Sequence, residues 1–188
     1  MWKWLIVVLA TTVLMGCETT PVGPIEAEQS MLRVGLPTDA WPTIARDLIE
    51  TQEAWEERWD WPSGSLAAVR TRRRQYFPQD FADPEDLLEN VGRWPTFVRS
   101  DVPVGSIKRG ENEIGGFLYA VANKRNRRCF FMLQGIAGFR PPSTEPVGGT
   151  ESSDGYIRFY QCASSEVATE ADLEAQGLVF ANSLSLNW

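Results

Sequence analysis

The chain contains no histidine. That absence excludes every catalytic triad or dyad built on imidazole and every metal site with a histidine ligand, and with them most hydrolase mechanisms. Lysine is nearly as scarce. Beyond Lys3 only Lys108 and Lys124 remain, neither in a Ser-x-x-Lys spacing, so Ser-Lys nucleophilic chemistry lacks its parts. The glycine pairs Gly135/Gly138 and Gly148/Gly149 fit neither the Walker nor the dinucleotide pattern, so no phosphate loop is expected and no cofactor or metal is assigned. What is present suits one or at most two small globular domains: 188 residues, 43% apolar and 23% charged.

The first residues carry the most specific signal. A single Lys3 leads the apolar run Leu5 to Met15, about half the ~20 residues a bilayer-spanning helix needs, as in a signal peptide. The run closes on Leu14-Met15-Gly16-Cys17, which resembles the lipobox of bacterial lipoproteins. The resemblance covers the leader alone. It implies removal of residues 1–16, a diacylglyceryl group on the Cys17 thiol, and acylation of the new amine. Two or more chains give stable anchoring, where one would bind only marginally. Glu18 in place of Asp implies, by the same resemblance, the outer membrane, with the body in the periplasm.

With Cys17 lipidated, Cys129 and Cys162 are an even pair in an oxidising compartment, and a disulfide is expected. The alternatives are two buried thiols, or a zinc site half empty of ligands.

Residues 17–30 lack periodicity and include Pro21 and Pro24, so they read as a flexible tether before a single α+β domain over 31–188. Residues 31–95 read as mostly helical. Thr38 to Trp61 predicts a helix, since Thr38 or Asp39 can cap it, Pro42 suits its first turn, and Ile44, Leu48, Trp55 and Trp59 recur at helical spacing. Leu66 to Phe77 leans toward a strand. Asp83-Pro84 opens a short helix through Val91 that stops at Gly92.

Residues 96–188 read as sheet followed by a helix. The runs 117–121, 129–133 and 156–162 are rich in aromatic and β-branched residues, and Asn123 to Arg128 is short enough for a hairpin. Cys129 opens one run and Cys162 closes another, so antiparallel pairing would set Phe131 beside Tyr160 and Leu133 beside Arg158. Thr169 to Asp172 is a near-match to a capping box, with Leu173, Gly177, Phe180 and Leu184 on one helical face. Gly177 inside that helix predicts either close approach to a strand or simple tolerance. The stretch Gln134 to Asp154 reads as a long loop, functional or disordered. The fold class expected is therefore α+β. It comprises an antiparallel sheet of about three to five strands pinned by the disulfide, N-terminal helices, and a C-terminal helix packed on the sheet. The module from Phe117 onward, with Arg-Arg-Cys-Phe-Phe and a Gly-Tyr pair preceding a Cys, resembles segments of envelope proteins of α-proteobacteria. That resemblance covers under half the chain and implies no activity.

Charge is unevenly spread. Residues 65–140 are net positive between two acidic flanks, and two basic clusters stand out, Arg70 with Arg72, Arg73 and Arg74, and Lys124, Arg125, Arg127 and Arg128. They are candidates for contact with an anionic surface such as lipid headgroups, because a tethered domain stays near the membrane. The alternative is a solvated hairpin tip and strand face. Export and an acidic pI near 4.7 argue against nucleic acid. Among carboxylates, Glu53 and Glu57 fall beside Trp55 and Trp59, and Glu111 and Glu113 precede a Gly-Gly step. The expectation is a non-catalytic, membrane-anchored structural or accessory component that contacts an envelope protein or polymer. The alternative is a glycan-acting or glycan-binding domain built on those tryptophans and glutamates.

Overall fold

A computed structural model of the chain describes residues 22–35, 44–49, 54–71, 81–93, 97–136 and 154–187. From Ala54 to Trp61 tryptophan alternates with charged residues, a period-two pattern that gives a half-buried strand. In chain order the elements are β1 (Gly23–Ile25), β2 (Leu32–Val34), β3 (Ile44–Ile49), β4 (Ala54–Trp61), β5 (Gly64–Thr71), α1 (Pro84–Val91), β6 (Lys108–Asn112), β7 (Gly115–Lys124), β8 (Arg127–Ile136), β9 (Gly155–Ser164), α2 (Glu170–Asn182) and β10 (Leu184–Leu186). Eight strands form one antiparallel sheet in the order β1-β3-β4-β5-β9-β8-β7-β6, and β10 pairs with β2 outside it. Two meanders, β3 to β5 and β6 to β9, thus join where β9 returns beside β5.

The β8–β9 register sets Cys129 opposite Cys162, Phe131 opposite Tyr160 and Leu133 opposite Arg158, as the cysteine positions predict. The two sulfurs are bonded. Cys162 turns its backbone N–H away from β8 to the Ser63 carbonyl, so the cysteines form a non-hydrogen-bonded pair, the closer of the two antiparallel pairings.

Both helices start as their sequences require. The Asp83 carboxylate accepts from the Glu85 N–H at 2.9 Å, Pro84 occupies the first turn, and Gly92 follows the last. Thr169 and Asp172 cap α2 reciprocally, each side chain accepting from the other's backbone N–H. Leu173, Gly177, Phe180 and Ala181 are its buried side, whereas Leu184 lies beyond it on β10. Gly177 is there for close approach, since a Cβ would sit 2.4 Å from the Phe130 ring.

The sheet is covered on both faces. On one face Trp59, Leu66, Phe130, Met132, Ile157 and Phe159 form one core with Leu173, Phe180 and Ala181 of α2 and with Met31, Leu32 and Leu184. On the other, α1 and residues 97–107 cover Leu118, Ala120, Phe131, Leu133 and the disulfide.

Four expectations are corrected. The antiparallel sheet has eight strands rather than three to five, because the N-terminal part supplies β1, β3, β4 and β5 to it. The helix over Thr38 to Trp61 is replaced, in its described part, by β3 and β4. A spacing of four is common to both periods, so Ile44 with Leu48 and Trp55 with Trp59 share a face in a strand as they would in a helix. Residues 31–95 are accordingly mostly strand, with α1 the one α-helix among the described residues. The tether is shorter than 17–30, because Gly23–Ile25 pairs with β3 and Ala27–Gln29 forms a 3-10 turn. The strand placed over Leu66 to Phe77 is β5, Gly64–Thr71, with 72–77 outside the described residues. So are the leader, Cys17, and 137–153 of the long loop.

Candidate interaction surface

The basic hairpin is the joint between β7 and β8, where Lys124 pairs with Arg127 across a two-residue turn. Arg125 turns the chain with φ of 56°, the left-handed region that favours glycine. The four basic side chains divide by strand alternation. Lys124 points to the α1 face and donates to the Asp101 carboxylate at 2.6 Å, with the Phe97 ring 5.7 Å away. That bond holds the Asp101 carboxyl below its ordinary range, helped by the Val98 N–H. Arg128 points to the α2 face, where it donates to the Asn123 side chain at 2.7 Å and to the Ala168 carbonyl. Arg125 and Arg127 are exposed and make no ion pair among the described residues. Two of the four cations are therefore structural. Arg72, Arg73 and Arg74 lie outside the described residues.

Arg70, the first residue of the other cluster, belongs to a buried charge group on the α2 face. Glu57 on β4 lies opposite Arg46 on β3, and its carboxylate has no solvent contact, at 0% exposure. It accepts from Arg46 Nε at 2.8 Å, from the Ser30 hydroxyl at 2.8 Å and from the Met31 N–H at 2.7 Å. Arg46 also donates to the Gln29 carbonyl. Burial draws the Arg70 guanidinium below its ordinary value, and the Glu57 charge opposes that shift. The group therefore fastens residues 29–31 onto the sheet. Asn187 closes the same corner, donating to the Glu28 and Ser30 carbonyls at 3.0 Å each.

Of the tryptophan and glutamate group of the glycan reading, Trp55, Glu57 and Trp59 share one face of β4 and are buried there. Trp55 and Trp59 are 8% and 3% exposed, and Glu57 is engaged as described. Glu53 lies outside the described residues, and Glu111 and Glu113 are exposed around the β6–β7 turn. A second polar group sits over the other end of the α2 face. Lys108 donates to both Glu174 oxygens, at 2.8 and 2.7 Å, and the Tyr119 hydroxyl donates to one at 3.1 Å. These bonds hold the Glu174 carboxyl low and the Lys108 ammonium high, while burial raises Tyr119. Toward the C-terminal end of α2, Gln134, fully buried, trades amide hydrogen bonds with Asn112 at 2.8 and 3.1 Å, and Asn112 donates to the Ala181 carbonyl at 2.8 Å. Each of these links α2 or a turn to the sheet.

Sequence reasoning missed the Glu57 group. Its signal was the alternation Trp55, Glu57, Trp59, in which a charge shares a strand face with two indoles and so must be paired inside. Comparisons of the chain with protein-family models, curated proteins and solved structures found no match.

Proposed function

We propose that the chain is a lipid-anchored cell-envelope protein, held on the periplasmic side of the outer membrane through Cys17, that serves as a non-catalytic structural or accessory component. The observation that carries this reading is the sequence Leu14-Met15-Gly16-Cys17 at the end of an apolar run of signal-peptide length. Two structural features support it. The Cys129–Cys162 bond suits an oxidising compartment. The first described strand begins at Gly23, so five residues separate it from the anchor, a reach of about 20 Å from Cα to Cα at full extension. The body then rests close to the bilayer, and the Glu57 group ties the anchored end of the chain to the sheet.

The partner class is an envelope protein or polymer, with the exposed Arg125 and Arg127 among the contacts. Cell fractionation tests the anchor. The wild-type chain should sediment with outer membranes and need detergent for release, and Cys17→Ala should leave it in the soluble fraction. A wild-type chain found soluble without detergent would overturn the reading.

A further inference from the structure

On the α1 face a groove of about 510 Å³ runs between α1 and the 3-10 turns Arg99–Asp101 and Val104–Ser106. Leu88, Val98, Val102, Pro103 and Val104 give it an apolar lining. Val98 and Val104 are 51% and 56% exposed, so apolar surface faces water here. The two banks carry opposite charge. On α1, Glu85 and Glu89 are one turn apart and exposed, with Glu85 bridged to Arg99. On the far bank Lys124 is tied to Asp101, which joins the groove to the hairpin tip and its outward Arg125 and Arg127.

That arrangement selects among occupants. An anionic lipid surface would gain from the tip but be repelled by α1. An uncharged apolar ligand would leave both banks unused. A surface with an apolar centre and opposite charges at its ends is complementary to itself when turned about a two-fold axis. We propose that this face is one half of an isologous interface between two copies of the chain. Val98 and Val104 lie near the axis, and Glu85 and Glu89 of each copy meet Arg125 and Arg127 of the other. The inference deepens the accessory-component reading and rests on it. The interface should pair the copies in solution, and confinement to one leaflet adds to it by raising their effective concentration.

Charge exchange in the full chain, measured by sedimentation in detergent across a wide concentration series, tests this. The wild type should form dimers. Arg125→Glu with Arg127→Glu in one variant, and Glu85→Arg with Glu89→Arg in another, should each weaken self-association by about tenfold or more, since like charges then face each other. All four residues are exposed, so folding should survive, which circular dichroism checks. An equimolar mixture of the two variants should restore dimers of wild-type strength, because both banks are again opposite in sign. A monomeric wild type, or a mixture that fails to pair, would overturn the proposal. So would loss of binding to phosphatidylglycerol vesicles by the arginine variant without any change in mass, since lipid would then be the occupant. The pairing readout does not require the lipid, so an unmodified Cys17 beside restored pairing would remove the anchoring reading alone.

Discussion

Gly177→Ala separates packing from helix propensity. In an exposed helix interior alanine exceeds glycine by about 1 kcal/mol, so propensity alone predicts a more stable protein. The structure predicts the reverse. An added Cβ would meet three Phe130 ring atoms at 2.4, 2.4 and 2.6 Å, about 1 Å inside ordinary contact. The ring has little freedom to yield. Phe130 is 0% exposed and stands between Tyr119, 5.6 Å away, and Phe159, 5.9 Å away. Overpacking of this kind costs about 1–3 kcal/mol, and a ring so confined belongs in the upper part of that range. After the propensity gain, a net loss of about 1–2 kcal/mol remains. Urea unfolding followed by tryptophan fluorescence measures it. Val179→Ala, on the exposed side of α2 at 60% exposure, should gain about 0.5 kcal/mol and so controls for propensity. Pairing Gly177→Ala with Phe130→Leu should cost less than the two singles together, since the smaller side chain makes room. A higher midpoint for Gly177→Ala, or strict additivity in the double variant, would refute the close-approach argument.

Other consequences follow from the same contacts. Glu57→Ala leaves Arg46 without its buried partner and Arg70 without the nearby opposing charge. It should cost about 3–5 kcal/mol and speed amide exchange at Met31 and Leu32, read by urea unfolding and hydrogen exchange. Reduction of the Cys129–Cys162 bond, which spans 33 residues, should remove about 3–4 kcal/mol of stability, measured by the same titration with and without reductant. The folded-state pKa values of Glu174 and Asp101 lie below their ordinary ones, so each contributes stability that is present above the unfolded value and lost as pH falls through the folded one. Stability should therefore decline on acidification below about pH 4.5, and Glu174→Gln should flatten that decline. Arg125→Gly should raise the unfolding free energy by about 0.5–1 kcal/mol, read by the same urea titration, because it places glycine at a positive φ.

Legibility in the sequence varied with how well local pattern and tertiary environment agree. The C-terminal half was readable to the register, because Cys129 and Cys162 sit at opposite ends of their strands and a disulfide tolerates few offsets. The capped helices were readable because Asp83-Pro84 and Thr169-x-x-Asp172 act through neighbouring backbone. The N-terminal half was misread as helix because its apolar residues are spaced by four and the residues between them, Arg46 and Glu57, are charged. Charge usually marks water, and only the cross-strand partner shows that these two neutralise each other inside. Residues 23–34 lack any pattern of their own. They are ordered by contacts distant in sequence, β1 on β3 and β2 on β10, which no local window contains. The basic cluster at 124–128 was visible as charge, but which cations stay free is settled by strand alternation and by Asp101 and Ala168, each more than twenty residues away.

The proposed anchor on Cys17 would place the body at a membrane, fix its compartment and supply the confinement that pairing would exploit. Intact-mass and peptide mass spectrometry of the chain purified from the membrane fraction tests it most directly. The account predicts a chain that starts at Cys17 and carries a diacylglyceryl thioether with an acylated amine. A chain that retains Met1, or an N-terminal peptide with an unmodified Cys17 thiol, would contradict it.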